Sequence, residues 1–116
     1  MILVDFDRTL ATYESWEKNG PSLGEPIPAM VDRVKYWIAM GEDVRIFTAR
    51  AAKNNPRLEA DTEKIKAWCA EHVGKILPVQ NWKDFTTVAI WDDLAFSVES
   101  NTGRLVRRLD LDLDVE

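Results

Sequence analysis

Apolar positions along this chain fall into short blocks that alternate between a strand-like and a helix-like period. Ile2-Leu3-Val4 is a continuous apolar run, which reads as a strand buried on both faces. Residues 10–24 have no clean period and carry Tyr13, Trp16, Gly20 and Pro21, so they read as a loop or short flap. Glu25-Pro26-Ile27-Pro28 opens a helix, because the N–H that proline lacks would be unpaired in a first turn anyway. Ile27, Val31, Val34 and Ile38, with Met30 and Trp37 beside them, form its apolar face, and Gly41 is the expected stop. Residues 43–48 are a second strand around Val44, Ile46 and Phe47, and Asn54-Asn55-Pro56 marks a turn after it. Residues 58–73 are a second helix with Leu58, Ile65, Trp68, Cys69 and Val73 on one face. Residues 76–79 and 87–91 are third and fourth strands, joined by a loop over residues 80–86. Residues 96–98 and 105–106 flank a Ser100-Asn101-Thr102-Gly103 turn and read as a terminal hairpin. Residues 109–116 alternate apolar and acidic side chains and read as an exposed acidic terminus without a catalytic role, an edge strand being the alternative.

Strands that alternate with helices predict a parallel sheet with helices on both faces, here in a single domain over residues 1–116. Composition changes this picture little. With 46% hydrophobic and 30% charged residues the chain reads as globular, and neither a membrane-spanning run nor a leader segment is expected. Cys69 is the sole cysteine, so no internal disulfide forms, which fits a cytoplasmic protein. It and the one histidine, His72, lie on or beside a helix's apolar face and read as structural. A net charge of −5 argues against tight nonspecific nucleic-acid binding. Most of the five tryptophans occupy core-facing positions in this reading, while an exposed patch, and with it a homo-oligomer, stays open.

The chemistry sits at the strand ends. The first strand runs directly into Asp5 and Asp7, with Thr9 two residues further on; the second ends in Thr48-Ala49-Arg50; the fourth ends in Asp92-Asp93. In an open parallel sheet, ligands bind in the crevice beyond the carboxyl ends of the strands. Paired carboxylates there call for a hard divalent ion with oxygen ligands, most plausibly Mg²⁺. Thr48 is placed to donate to a phosphate oxygen, or else caps the following turn. Arg50 offers a planar fork to an anionic substrate.

Together these residues resemble the haloacid dehalogenase-like (HAD) superfamily of phosphohydrolases. Asp5-Phe6-Asp7-Arg8-Thr9 matches the family's Asp-x-Asp-x-Thr motif, Thr48 its Ser/Thr after the second strand, Lys83 its lysine before the fourth strand, and Asp92-Asp93 its closing acidic pair. The resemblance implies a three-layer α/β/α Rossmann-like fold and a Mg²⁺-dependent phosphatase acting through a phosphoaspartate. It makes Asp5 the nucleophile and Asp7 the acid that protonates the leaving oxygen and then activates water. Thr48 and Lys83 would hold the phosphoryl group, and Lys83 would also keep Asp5 ionised. The metal ligands it implies are Asp5, Asp7 (through its backbone carbonyl), Asp92 and Asp93. Arg8, Thr9, Ala49 and Arg50 fall where substrate contacts are expected. Two features depart from the family: Arg8 stands where glycine is common, and the segments of about fifteen and seven residues that could hold a cap domain are too short to fold as one. The site is therefore expected to be open, suiting nucleotide or nucleic-acid-end phosphates, with a small-metabolite phosphatase or a non-catalytic metal- and phosphate-binding relative as alternatives. Receiver domains share these residue types, but there the acidic pair precedes the threonine and lysine, against the order here.

Overall fold

Strand β1 (Ile2–Val4) is the apolar run read from the sequence, and all three of its residues are buried, as a strand in the middle of a sheet requires. In the computed structural model, which describes residues 1–106, a flap follows with one helical turn, α1 (Trp16–Asn19), and then α2 (Pro28–Ala39) and β2 (Val44–Phe47). A short 3₁₀ turn (Ala49–Ala51), α3 (Leu58–His72), β3 (Val79–Gln80) and β4 (Ala89–Trp91) complete the order. The strands form a four-stranded sheet in the order β3-β2-β1-β4, parallel throughout. The fold is therefore α/β with a parallel sheet, in keeping with a Rossmann-like arrangement.

The register brings the strand ends level. Val4 lies opposite Ile46 on one side and Trp91 on the other. The Asp5 N–H donates to the Trp91 carbonyl at 2.9 Å, and the Thr48 N–H to the Gln80 carbonyl at 3.0 Å. Asp5, Thr48 and Asp92, each one residue past its strand, thus emerge along one edge. The core is built from Ile2 and Val4, from Val31 and Val34 of α2, and from Ile65, Trp68 and Cys69 of α3. Burying each large apolar side chain contributes roughly 1.5–3 kcal/mol. Glycines at φ near 82°, Gly41 and Gly74, lie just past α2 and α3, where a side chain would be strained.

The flap is stapled back onto this core. Thr12 and Glu25 exchange backbone and side-chain hydrogen bonds, and Ala11 bridges to Pro26. The Gly24 carbonyl accepts the Trp68 indole N–H at 2.9 Å. A Cβ on Gly24 would stand 1.8 Å from the Thr12 carbonyl oxygen, a backbone atom with nowhere to go. Gly24→Ala is therefore expected to lower stability by about 3 kcal/mol or more. Urea unfolding followed by tryptophan fluorescence reads this directly; a midpoint equal to wild type would show that the flap yields without cost.

Several sequence expectations change in detail. The third strand is Val79–Gln80 rather than residues 76–79, because Ile76 and Pro78 are exposed and proline has no N–H for the ladder. The fourth strand narrows to Ala89–Trp91. The expected hairpin reduces to one antiparallel bridge, Val98 to Leu105. Of the five tryptophans only Trp68 is buried. Trp16 on the flap, Trp82 in a loop and Trp91 on the edge strand are exposed among the described residues, and Trp37 is half-buried against Trp91. Cys69 is a core residue whose thiol burial pushes up to about 12. The acidic stretch 109–116 lies outside the described residues. Among the described residues no helix is long and apolar enough to cross a membrane.

Candidate active site

Beyond β1 the chain makes a tight turn around one acceptor. The Phe6 carbonyl receives the N–H groups of Thr9, Leu10 and Ala11, at 3.2, 2.9 and 3.0 Å. Phe6 itself is fully buried with its ring edge-on to Trp68, 4.9 Å between centroids, so the turn is anchored from below. Arg8 holds the left-handed conformation at φ 70°, which favours glycine. Its side chain offsets that strain by donating to the Tyr13 and Glu14 carbonyls at 3.3 and 2.9 Å, so it ties down the flap.

This turn sends Asp5 and Asp7 to different neighbours. Asp5 joins Asp92 and Asp93, and one carboxylate oxygen from each lies within 4.8 Å of the others. The Phe6 N–H donates to Asp5 Oδ1 at 2.9 Å, and the Leu94 N–H to Asp92 Oδ1 at 2.7 Å. Thr9 is buried between two acids, its hydroxyl 3.3 Å from Asp5 Oδ2 and 3.2 Å from Asp93 Oδ1. It has one hydrogen to give them and so serves the carboxylate cluster.

Burial, a hydrogen bond shared with Asp93 and the charge of Asp92 together push the Asp5 carboxyl up to about 7. The expectation that Lys83 keeps Asp5 ionised is thus reversed in the metal-free protein. Lys83 is exposed on the loop after β3, in a groove it shares with Asp92 and Asp93, and lines neither hollow that contains Asp5. Three acids this close, with two oxygens already taken by backbone N–H groups, form an all-oxygen donor set suited to Mg²⁺. A hard cation there would relieve the repulsion that holds the Asp5 proton.

That proton has a consequence for stability. The folded protein keeps it at pH values where the unfolded chain, with an ordinary aspartate near 3.8, has released it. Stability from this group is full at low pH and is lost as pH rises through about 7. With metal chelated, the melting temperature should fall between about pH 4 and about pH 7, a loss that Mg²⁺ reverses and Asp5→Asn flattens. Calorimetry across that range checks it; a flat wild-type profile would contradict the picture.

Asp7 turns the other way. The Arg50 guanidinium grips both its oxygens, Nε to Oδ2 at 2.8 Å and Nη2 to Oδ1 at 3.0 Å. The Asp7 side chain is outside the carboxylate cluster, and Arg50's fork is already engaged. Thr48 is buried, and its hydroxyl accepts the Arg50 N–H at 3.1 Å, capping the 3₁₀ turn; the hydroxyl hydrogen remains to donate. One hollow of about 200 Å³ is lined by Asp5, Asp7, Arg8, Tyr13, Thr48, Ala49, Asp93 and Leu94. A second, about 330 Å³, is lined by Asp5, Thr48, Ala49, Asn81 and Asp92 among others.

Sequence reasoning missed Asn81, which lines the larger hollow together with Asp5 and Thr48, and Asp61. Asp61 is almost fully buried in the first turn of α3. Its place four residues before Ile65 puts a carboxylate on the apolar stripe, a position that demands a partner. Trp16, on the flap, is exposed under the Arg57 guanidinium, 4.8 Å from its ring centroid.

No protein-family model matches the chain, and no curated protein does. Among solved structures it is similar to a conserved protein from Bacteroides thetaiotaomicron, with a TM-score of 0.59 and 19% identity. The match covers 81% of this chain and 75% of that one. At that identity the likeness speaks for the fold alone.

Proposed function

We propose that this chain is a HAD-like phosphohydrolase of three-layer α/β/α architecture without a cap domain, cleaving phosphate monoesters by way of a phosphoaspartate on Asp5. The observation that carries the reading is the split between its two first-strand acids. Asp5 sits in a metal-suited cluster with Asp92 and Asp93, while Asp7, two residues on, is held apart but faces the same hollow. Covalent phosphoryl transfer needs two carboxylates with different duties.

Mg²⁺, when bound by Asp5, Asp92, Asp93 and the Asp7 carbonyl, supplies charge to offset the repulsion between the Asp5 carboxylate and an anionic substrate. The chain's own residues do the rest. An Asp5 oxygen attacks phosphorus as the bond to the leaving oxygen breaks. Asp7 gives its proton to that oxygen, which requires one of its two Arg50 contacts to open. Thr48 and Asn81, beside Asp5, orient the phosphoryl oxygens, and Lys83 adds a cation on a long stem. Asp7 then takes a proton from water, which attacks the phosphoaspartate and releases inorganic phosphate with Asp5 restored.

Both hollows around Asp5 open to solvent, which suits bulky nucleotide or nucleic-acid-end phosphates. Phosphate release from p-nitrophenyl phosphate and mononucleotides, with Mg²⁺ and with EDTA, tests the reading. Release with Mg²⁺ alone is expected. Release from no ester, together with failure of Asp5 to form a fluoroberyllate adduct, would refute it.

A further inference from the structure

Among the described residues, Asp61 is the one almost fully buried acid that the mechanism above does not use. Its Oδ2 accepts an N–H from Asn55 at 2.9 Å, and the same Asn55 amide donates to the Arg50 carbonyl at 2.7 Å. Its Oδ1 has no hydrogen-bond partner and faces Arg50 Nη1 at 3.6 Å. Arg57 Nε lies 4.0 Å from the other oxygen. An ionised carboxylate taken so far from water is tolerated only where a cation compensates it. Arg50 is the nearer of its two cations, and it is the residue that grips Asp7.

The division of the guanidinium is specific. Its Nε and Nη2 face Asp7; its Nη1 donates to the Pro21 carbonyl at 2.7 Å with Asp61 behind. Nη2 also reaches the Ser22 carbonyl at 3.3 Å, and the Tyr13 ring lies 5.7 Å beneath the group. One edge of a rigid fork is thus fixed by α3 and the flap, and the other edge presents two parallel donors. A carboxyl group on a short stem takes its direction from such a fork.

We infer that Asp61 is a positioning residue: by anchoring Arg50 from within the fold, it aims the Asp7 carboxyl at the leaving oxygen. The inference rests on the phosphatase reading for the role of Asp7, but the anchoring itself does not. In the first transfer, aim matters only for an ester whose leaving oxygen needs a proton, since p-nitrophenolate departs without one; in the second, Asp7 serves every ester alike.

Two readouts separate these parts. In Asp61→Asn, the rate of the first transfer, read in a single turnover, should fall at least about tenfold for an alkyl phosphate, within the range that proton donation contributes, while the rate of p-nitrophenolate release in that transfer stays within about twofold. Equal loss on both esters would make Asp61 merely structural, and loss on neither would overturn the inference. If Asp61→Asn does not fold, Asn55→Ala, which removes the amide that donates to Asp61, should give the same split in weaker form. The second readout needs no turnover. The Arg50 side-chain Nε–H resonance, assigned by its loss in Arg50→Lys, should be sharp and slow to exchange in wild type and averaged in Asp61→Asn. A sharp resonance in both would overturn the anchoring. If wild type hydrolyses neither ester, the phosphatase reading fails and the resonance alone decides whether Asp61 holds Arg50.

Discussion

Replacing Asp5 by Asn should abolish Mg²⁺-dependent phosphate release, by about a thousandfold or more on every ester, activated or not. The substitution keeps the shape of the side chain and removes the attacking oxygen. Its effect is separable from misfolding, because burial and neighbouring acids disfavour the ionised form of Asp5 in the fold. Together they push its carboxyl up to about 7, so a neutral amide there should leave the metal-free protein at least as stable near neutral pH. An inactive variant that melts no earlier than wild type places Asp5 in the chemistry, as nucleophile or as metal ligand, rather than in the fold. Steady-state release and calorimetry on the same preparation measure both halves. Substantial turnover in the variant would remove Asp5 from the mechanism.

Asp7→Asn should lower turnover by about a hundredfold to ten-thousandfold, through a different step. The Asp7 carboxyl is outside the cluster of Asp5, Asp92 and Asp93, so the metal-binding acids are untouched. The first transfer should therefore survive on p-nitrophenyl phosphate, whose leaving group needs no proton. The second should not, because no carboxylate remains to take the proton from water. A burst of p-nitrophenolate followed by slow turnover is the expected trace, with phosphoenzyme accumulating. An alkyl phosphate should give no burst. Equal and complete loss on both esters would mean that Asp7 serves the metal or the fold instead.

How much of this was legible in the sequence follows from periodicity. β1, α2, β2 and α3 each bury one recognisable stripe, and proline at the start of α2 with glycine beyond its end marked the boundaries. α1 has no buried residue and rests on the Ser15 cap, so no apolar pattern announced it. The site's anions were legible because they directly follow apolar strands, and parallel register then makes strand ends neighbours. What one chain cannot display is which acid faces which base. Arg50 looked like a substrate ligand because nothing in its surroundings in sequence points to Asp7, 43 residues earlier, or to the flap carbonyls it also holds. Asp61 carried a signal, a charge on an apolar helical face, but its counterion lies across a turn that has no period. Lys83 was assigned by order along the chain. The loop that carries it leaves β3 at Gln80, and it is Asn81, next in line, that shares a hollow with Asp5. The tryptophans were assigned to the core by residue type, which reads hydrophobicity and is blind to a sheet edge without a covering layer.

The most direct test of the central claim is chemical capture of the intermediate. Wild type is mixed with a phosphate monoester and Mg²⁺, quenched in acid, and reduced with borohydride, which converts an aspartyl phosphate to homoserine. Peptide mass spectrometry then locates the change. The account predicts homoserine at position 5, increased in Asp7→Asn and absent with EDTA. Active enzyme that leaves Asp5 unmodified under these conditions, or homoserine at any other aspartate, would contradict it.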